Sequence, residues 1–70
     1  MQRDELVHML NQVAAYYAAY PEAEAVEGVC SHLQRFWQPT MRQQLGALRT
    51  DPRLSQLAHA AILRLAPPQP

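Results

Sequence analysis

The chain has 70 residues, of which 49% are hydrophobic, and its six Lys+Arg balance six Asp+Glu, so it is the size of one small domain without formal net charge at pH 7. This charge balance lacks the basic surplus typical of nucleic-acid-binding proteins. The first ten residues are too charged for a secretory signal, and no apolar run approaches the roughly 18 residues of a membrane span. We therefore expect a cytoplasmic protein that binds neither nucleic acid nor membrane, and the single cysteine, Cys30, suits a reducing compartment.

The first predicted helix begins near Asp4, whose carboxylate is suited to cap the free backbone N–H groups of a first turn. Its apolar residues recur every three or four positions, which is typical of one face of an α-helix. These residues are Leu6, Leu10, Val13, Tyr17 and Tyr20, with Met9 and Tyr16 widening the face. Pro21 is expected to end the helix, because a proline disfavours helical geometry at the residue before it.

The second predicted helix runs from about Pro21 to Trp37, and its first turn carries acidic residues where the helix dipole favours them. Its apolar face consists of Val26, Val29, Cys30, Leu33, Phe36 and Trp37. Gly28 lies inside this helix at a cost of about 1 kcal/mol relative to alanine. A close crossing of a second helix would explain the glycine, and so would simple tolerance.

Two shorter helices complete the predicted fold. Met41, Leu45 and Leu48 indicate a third helix after Pro39. Asp51-Pro52 is a typical N-cap and first-turn pair, which predicts the start of a fourth helix. Its apolar face would consist of Leu54, Leu57, Ala58, Ala61 and Leu65. The pattern therefore predicts an all-α fold, a small bundle of three to four short helices, with a single domain over residues 1–66 and a disordered, proline-rich tail over 67–70.

The residues show no catalytic pattern. The three histidines fall on three different predicted helices and are best explained as surface or boundary residues: His8, His32 and His59. Cys30 and His32 project about 200° apart on a helix, so they cannot pair as nucleophile and base. Cys30 is expected in the core, and the acidic residues 22–27 fit a helix start. We expect no catalytic, cofactor-binding or metal-binding residue and no enzyme activity of the chain alone.

A partner chain is expected because the core is small. A domain of this length has only about 3–5 kcal/mol of net stability, and neither an internal disulfide nor a zinc cluster is available to add to it. The charges are also sorted, since residues 1–27 hold five of the six acidic residues and residues 28–70 hold five of the six arginines. This polarity would help helices of the two halves to pair, or it would orient a partner.

The segment 32–45, HLQRFWQPTMRQQL, is the strongest candidate for a partner interface. Phe36 and Trp37 are adjacent, so they point about 100° apart on a helix and cannot both face one way. Burying a tryptophan is worth on the order of 4–6 kcal/mol gross, and aromatic residues and arginine are frequent anchors of interfaces. Two arrangements are open: both rings close the core, or at least one of them lies at an interface. The candidate interface residues are His32, Arg35, Phe36, Trp37, Pro39, Met41 and Arg42.

Residues 6–21, LVHMLNQVAAYYAAYP, and 24–45, EAVEGVCSHLQRFWQPTMRQQL, resemble the delta subunit of NAD-dependent, molybdenum- or tungsten-containing formate dehydrogenases. The matching positions are Met9, Asn11, Gln12, Pro21, His32, Leu33, Phe36, Trp37, Pro39, Met41 and Arg42. The chain departs from that family at Thr40, where arginine is usual, and over residues 48–57, where a glycine-rich turn is usual.

The resemblance implies a cofactor-free, non-catalytic accessory subunit. Its partner would be the large molybdopterin-binding catalytic subunit of formate dehydrogenase, whose assembly or activity it would support. Two alternatives remain open. In the first, the chain is an assembly chaperone that binds the catalytic subunit transiently. In the second, it is a homodimeric helical module unrelated to formate oxidation. A homodimer is also open for the isolated accessory subunit.

Overall fold

The chain folds into α-helices throughout the part that the computed structural model describes, residues 2–65, and no strand is found there. The helices are α1 (Arg3–Tyr17), α2 (Glu22–Phe36), α3 (Pro39–Gln43), α4 (Leu45–Leu48) and α5 (Gln56–Leu65). The predicted all-α fold is confirmed. The short α3 and α4 are separated only by Gln44 and together occupy the predicted third helix. The predicted tail, 67–70, and its boundary with the domain lie outside the described residues.

The ends of α1 differ from the expectation. The helix begins at Arg3 with Gln2 as N-cap, so Asp4 lies within the first turn and does not cap it, which corrects the predicted role of Asp4. The Asp4 carboxylate instead accepts a hydrogen bond from the guanidinium of Arg53 at 2.6 Å. The helix ends at Tyr17, and Pro21 serves as the N-cap residue of α2.

Asp51-Pro52 does not begin the last helix, so that prediction was wrong. α5 begins at Gln56, and the Ser55 hydroxyl accepts a hydrogen bond from the Ala58 backbone N–H at 3.1 Å, which is N-cap geometry. The Asp51 carboxylate accepts a hydrogen bond from the Arg53 backbone N–H at 2.9 Å and so stabilises a turn. Aspartate and proline favour turns as well as helix starts, and here the turn forms.

The core forms where α1, α2 and α5 pack against one another. Its buried members are Leu6, Val7, Leu10, Ala14, Val29, Cys30, Leu33, Trp37, Leu45, Leu48, Ala58, Ala61 and Ile62. Each of these three long helices contacts the other two. The segment after α2 is held to the same core, because α4 supplies the buried Leu45 and Leu48 and Met41 of α3 packs against the core.

Gly28 is the position where a ring of α1 contacts the backbone of α2. A Cβ atom at this position would lie 2.5 Å from the Tyr17 ring, so the ring rests directly on the backbone of α2. Tyr17 is the last residue of α1, whereas Gly28 is in the middle of α2. Packing against α1 through this ring, and not simple tolerance, therefore accounts for the glycine.

Ion pairs connect the acidic first half of the chain with the basic second half. The Arg53 guanidinium lies 2.6 Å from Asp4, and the Arg64 guanidinium lies 2.7 Å from Glu27. The first pair joins α1 to the loop before α5, and the second joins α2 to α5. The sorted charges therefore help elements of the two halves to pair, as the sequence suggested.

Polar side chains fasten the loop over residues 49–55 to α1. Asp51 has a nearly buried carboxylate, which accepts hydrogen bonds from the guanidinium groups of Arg53, at 2.9 and 3.1 Å, and Arg3, at 3.0 Å. The Asn11 side chain donates to the Arg53 carbonyl and accepts from the Ser55 backbone N–H, both at 2.9 Å. Asn11, one of the positions that carry the resemblance, thus has a structural role.

Candidate partner-binding surface

The structure separates the two adjacent aromatic residues of the candidate interface. Trp37 is 5% exposed and belongs to the core, whereas Phe36 is 70% exposed on the outside of α2. Trp37 is the C-cap residue and has extended backbone angles, so it turns away from the helix direction while its N–H still donates to the Leu33 carbonyl at 3.1 Å. Of the two arrangements considered, the one in which both rings close the core does not occur.

The other candidate interface residues lie largely on the surface. His32 is partly buried, and its ring packs against that of Phe36 with 4.9 Å between the ring centroids. Arg35, Pro39 and Arg42 are exposed. Met41 is partly buried and packs against the core. Phe36 is therefore flanked by exposed polar and cationic side chains at the end of α2.

Tyrosines of α1 extend this surface, and none of them is among the candidate interface residues predicted from the sequence. Tyr16 is 73% exposed, and its ring meets that of Tyr17 edge to face with the centroids 5.0 Å apart. Tyr17 in turn lies 6.0 Å from the ring of Tyr20. The sequence feature that could have indicated Tyr16 is its position at the edge of the apolar stripe of α1, where an aromatic side chain is only partly covered by the core.

A groove between α1 and α2 joins these tyrosines to His32. It has a volume of about 390 Å³ and is lined by Gln12, Val13, Tyr16 and Tyr17 of α1 and by His32 of α2. We call these five residues the aromatic groove. Since Tyr17 lies over Gly28 and His32 lies opposite earlier residues of α1, the two helices run in opposite directions here. The lining is uncharged when His32 is neutral.

Positive charge lies beyond the α2 end of the aromatic groove. Within residues 2–65, three arginines form ion pairs, namely Arg3, Arg53 and Arg64. In the same part of the chain Arg35 and Arg42 form none. Arg35 and Phe36 follow His32 by three and four positions, so both are its neighbours on the helix surface. The exposed guanidinium group of Arg35 therefore lies next to the groove, and Arg42 follows in α3.

The described residues offer little for bond-making chemistry. Across residues 2–65, no group of three or more His, Cys, Asp or Glu side chains is placed to hold a metal ion. Cys30 is buried as expected, and its thiol lies 3.5 Å from the Ala61 carbonyl oxygen, to which it donates. Burial raises the pKa of the Cys30 thiol, which lowers its reactivity as a nucleophile.

None of the helices described is both long and apolar enough to cross a membrane.

Comparison with known families finds a model that covers most of the chain. Residues 5–62 match the family model described as the NADH-dependent formate dehydrogenase delta subunit FdsD. The match confirms the resemblance drawn from residues 6–21 and 24–45, and it continues through the region 48–57 where the chain departs from the usual pattern. Searches of curated proteins and of solved structures find no significant match.

Proposed function

We propose, because this chain belongs to the NADH-dependent formate dehydrogenase delta subunit family, that it is a non-catalytic accessory subunit of a cytoplasmic, NAD-dependent formate dehydrogenase complex. In this role the chain holds no cofactor and performs no step of formate oxidation. It binds the large molybdopterin-binding catalytic subunit and supports the assembly or activity of that subunit.

The observation that carries the proposal is the exposed Phe36 beside the buried Trp37. Aromatic residues are enriched at protein–protein interfaces, and contiguous exposed apolar patches mark interaction sites. The contact surface that we propose comprises the exposed and partly buried members of the candidate interface, His32, Arg35, Phe36, Pro39, Met41 and Arg42. Trp37 supports this surface from within the core.

The energetics favour a bound state. Burial of one large aromatic side chain removes roughly 150–250 Å² from water, worth on the order of 4–6 kcal/mol before the costs of association. This gross gain is comparable with the whole net stability of about 3–5 kcal/mol expected of a domain of this size. A partner that covers Phe36 therefore also stabilises the fold by mass action.

The proposal is tested by recovering the complex. The chain, tagged at its C-terminal end, is purified gently from its native cells grown with formate, and the proteins that accompany it are identified and quantified by mass spectrometry. We expect a large molybdopterin-binding polypeptide at a one-to-one ratio. Recovery of the chain without any such polypeptide would contradict the proposal.

The same purification distinguishes the alternatives. A transient assembly chaperone would be recovered with catalytic subunit that lacks its cofactor and would be substoichiometric in the active enzyme. A homodimeric module would be recovered without the catalytic subunit, and light scattering of the purified chain would give twice the mass of one chain. An isolated subunit that dimerises but exchanges into the complex would show both species.

A further inference from the structure

We propose that the aromatic groove is the docking site for an acidic, amphipathic segment of the catalytic subunit, with Phe36 and the guanidinium groups of Arg35 and Arg42 at one end of the site. This inference rests on the proposed function, and it adds the α1 side of the surface and the chemistry of the segment that binds there. The α1 side was not among the candidate interface residues.

The apolar part of the site spans two helices. Tyr16 on α1 and Phe36 on α2 are the two most exposed aromatic side chains, and His32, which contacts Phe36, also lines the groove with Tyr16. The exposed rings are thus connected across the groove and do not stand as isolated residues. An apolar stripe of a helix or extended segment laid between α1 and α2 would cover both rings at once.

The groove is also held in place before binding. Tyr17 at its floor packs on the backbone of Gly28 and edge to face against Tyr16. α2, which carries His32 and Phe36, is anchored to the core at its end by Trp37. A site whose walls are already ordered loses little conformational entropy on binding, which favours recognition of a complementary segment.

The charges indicate that the segment is acidic. The groove itself is uncharged, and the exposed Arg35 and Arg42 have no carboxylate partner within residues 2–65. Glu5 lies on the same stripe of α1 as Gln12 and Tyr16, seven and eleven positions earlier, so it offsets part of this charge. Glu24 lies on the same stripe of α2 as Arg35, eleven positions earlier, and so belongs to the other end of the groove. Two arginines against one glutamate leave the Phe36 end positive, where carboxylates of a bound segment form charge-assisted hydrogen bonds.

A second copy of this chain is a poorer occupant of the site. A twofold interface brings the same patch of both chains together, so each copy would present two arginines to the other. The arginines of one copy would then depend on Glu5 and Glu24 of the other, which restricts the pair to a register that brings these groups together. A partner that supplies several carboxylates satisfies the site more completely.

The test measures binding of the co-expressed, molybdopterin-binding catalytic subunit to the full-length chain and its variants. Phe36→Ala and Tyr16→Ala remove the two exposed rings, and each is expected to weaken binding at least about tenfold. Leu63→Ala is the matched control, since Leu63 is an exposed apolar residue of α5 outside the groove. We expect less than about a twofold change from it. Circular dichroism melting of each variant establishes that it is folded.

Charge is tested separately by salt and by charge reversal. Arg35→Glu is expected to weaken binding more at low ionic strength than at about 0.5 M salt, because salt screens the attraction. Arg49→Glu makes the same change in net charge outside the groove, where Arg49 lines a different surface depression with Asp51 and His59. It is expected to have the smaller effect on binding.

The outcomes separate this inference from the proposed function. If the wild-type chain does not bind the catalytic subunit, the proposed function fails and the docking site fails with it. If the wild-type chain binds and the Phe36 and Tyr16 variants bind equally well, only the docking site is overturned. An Arg35→Glu effect no larger than that of Arg49→Glu would overturn the acidic nature of the segment. A wild-type dimer that the Phe36 and Tyr16 variants dissociate would show that a second copy fills the groove.

Discussion

Gly28 lowers the intrinsic helix propensity of α2, yet it allows the Tyr17 ring to lie against the backbone. An added methyl group would meet that ring at 2.5 Å, so Gly28→Ala must displace Tyr17 or widen the crossing. Such overpacking costs about 1–3 kcal/mol, more than the roughly 1 kcal/mol that alanine adds to helix propensity. We expect Gly28→Ala to lower the melting temperature measured by circular dichroism.

Gly46 is the matched control for this substitution. It lies within α4 with no atom within 4 Å of an added Cβ, and it does not have a positive φ angle. Gly46→Ala is therefore expected to stabilise the fold by about 0.4–1 kcal/mol, mainly by restricting the unfolded chain. Two variants that shift the melting temperature in the same direction would contradict the role assigned to Gly28.

Asp51 is expected to make the fold sensitive to acid. Hydrogen bonds from the Arg53 guanidinium, from the Arg53 backbone N–H and from Arg3 hold the pKa of its carboxyl well below the ordinary value of about 3.9. A lowered pKa in the folded state means that the stabilisation is complete above about pH 4 and is lost as the pH falls below it. Asp51→Asn should reduce the free energy of unfolding at pH 7 and flatten its dependence on pH between about 4 and 2.

Urea unfolding followed by circular dichroism at several pH values measures this effect. Glu24→Gln is the control, since it removes an exposed carboxylate outside the Asp51 cluster. If the wild-type chain and Asp51→Asn lose stability in parallel on acidification, the acid sensitivity does not originate at Asp51.

At the scale of elements, the spacing of apolar residues predicts the long helices but not the start of α5. The spacing of apolar residues places α1 and α2 well, because their buried stripes repeat over 15 residues each. The residues 51–55 are too few for such a repeat, and Asp51 and Ser55 both have side chains suited to an N-cap. What decides between them is the contact of Asp51 with Arg3 and of Ser55 with Asn11, 48 and 44 residues away in sequence.

The N-cap of α5 can be tested directly. Ser55→Ala removes the hydroxyl that accepts the Ala58 N–H, and loss of such a cap costs typically about 1 kcal/mol. We expect a lower urea midpoint with an unchanged slope of the unfolding transition, since the surface exposed on unfolding stays the same. Thr50→Ala is the control, because the Thr50 hydroxyl makes no hydrogen bond within residues 2–65. Equal midpoints for Ser55→Ala and the wild type would show that Ser55 does not cap the helix.

For the molecule as a whole, the candidate surface is only partly visible in the sequence. The segment 32–45 is unusual in composition, and six of its seven candidate interface residues are exposed or partly buried. The helical period extends α2 through both Phe36 and Trp37 and sets them about 100° apart, so it does not decide which of the two rings is buried. The helix ends between them, and the extended angles of Trp37 send its side chain inward. Tyr16 joins the surface only through the packing of α1 against α2, which no local pattern contains.

The opposite placement of these neighbours gives the most direct test of the structure. Trp37 is part of a small core, and truncation of a buried tryptophan to alanine costs about 3–5 kcal/mol, as much as the whole net stability expected of the domain. Trp37→Ala is therefore expected to be largely unfolded at 25 °C by circular dichroism, with Trp37→Phe intermediate. Phe36→Ala changes an exposed ring and should stay within about 0.5 kcal/mol of the wild type in urea unfolding. A reversed order, with Phe36→Ala the less stable variant, would mean that Phe36 supports the core of the chain, and its effect on partner binding would then reflect folding.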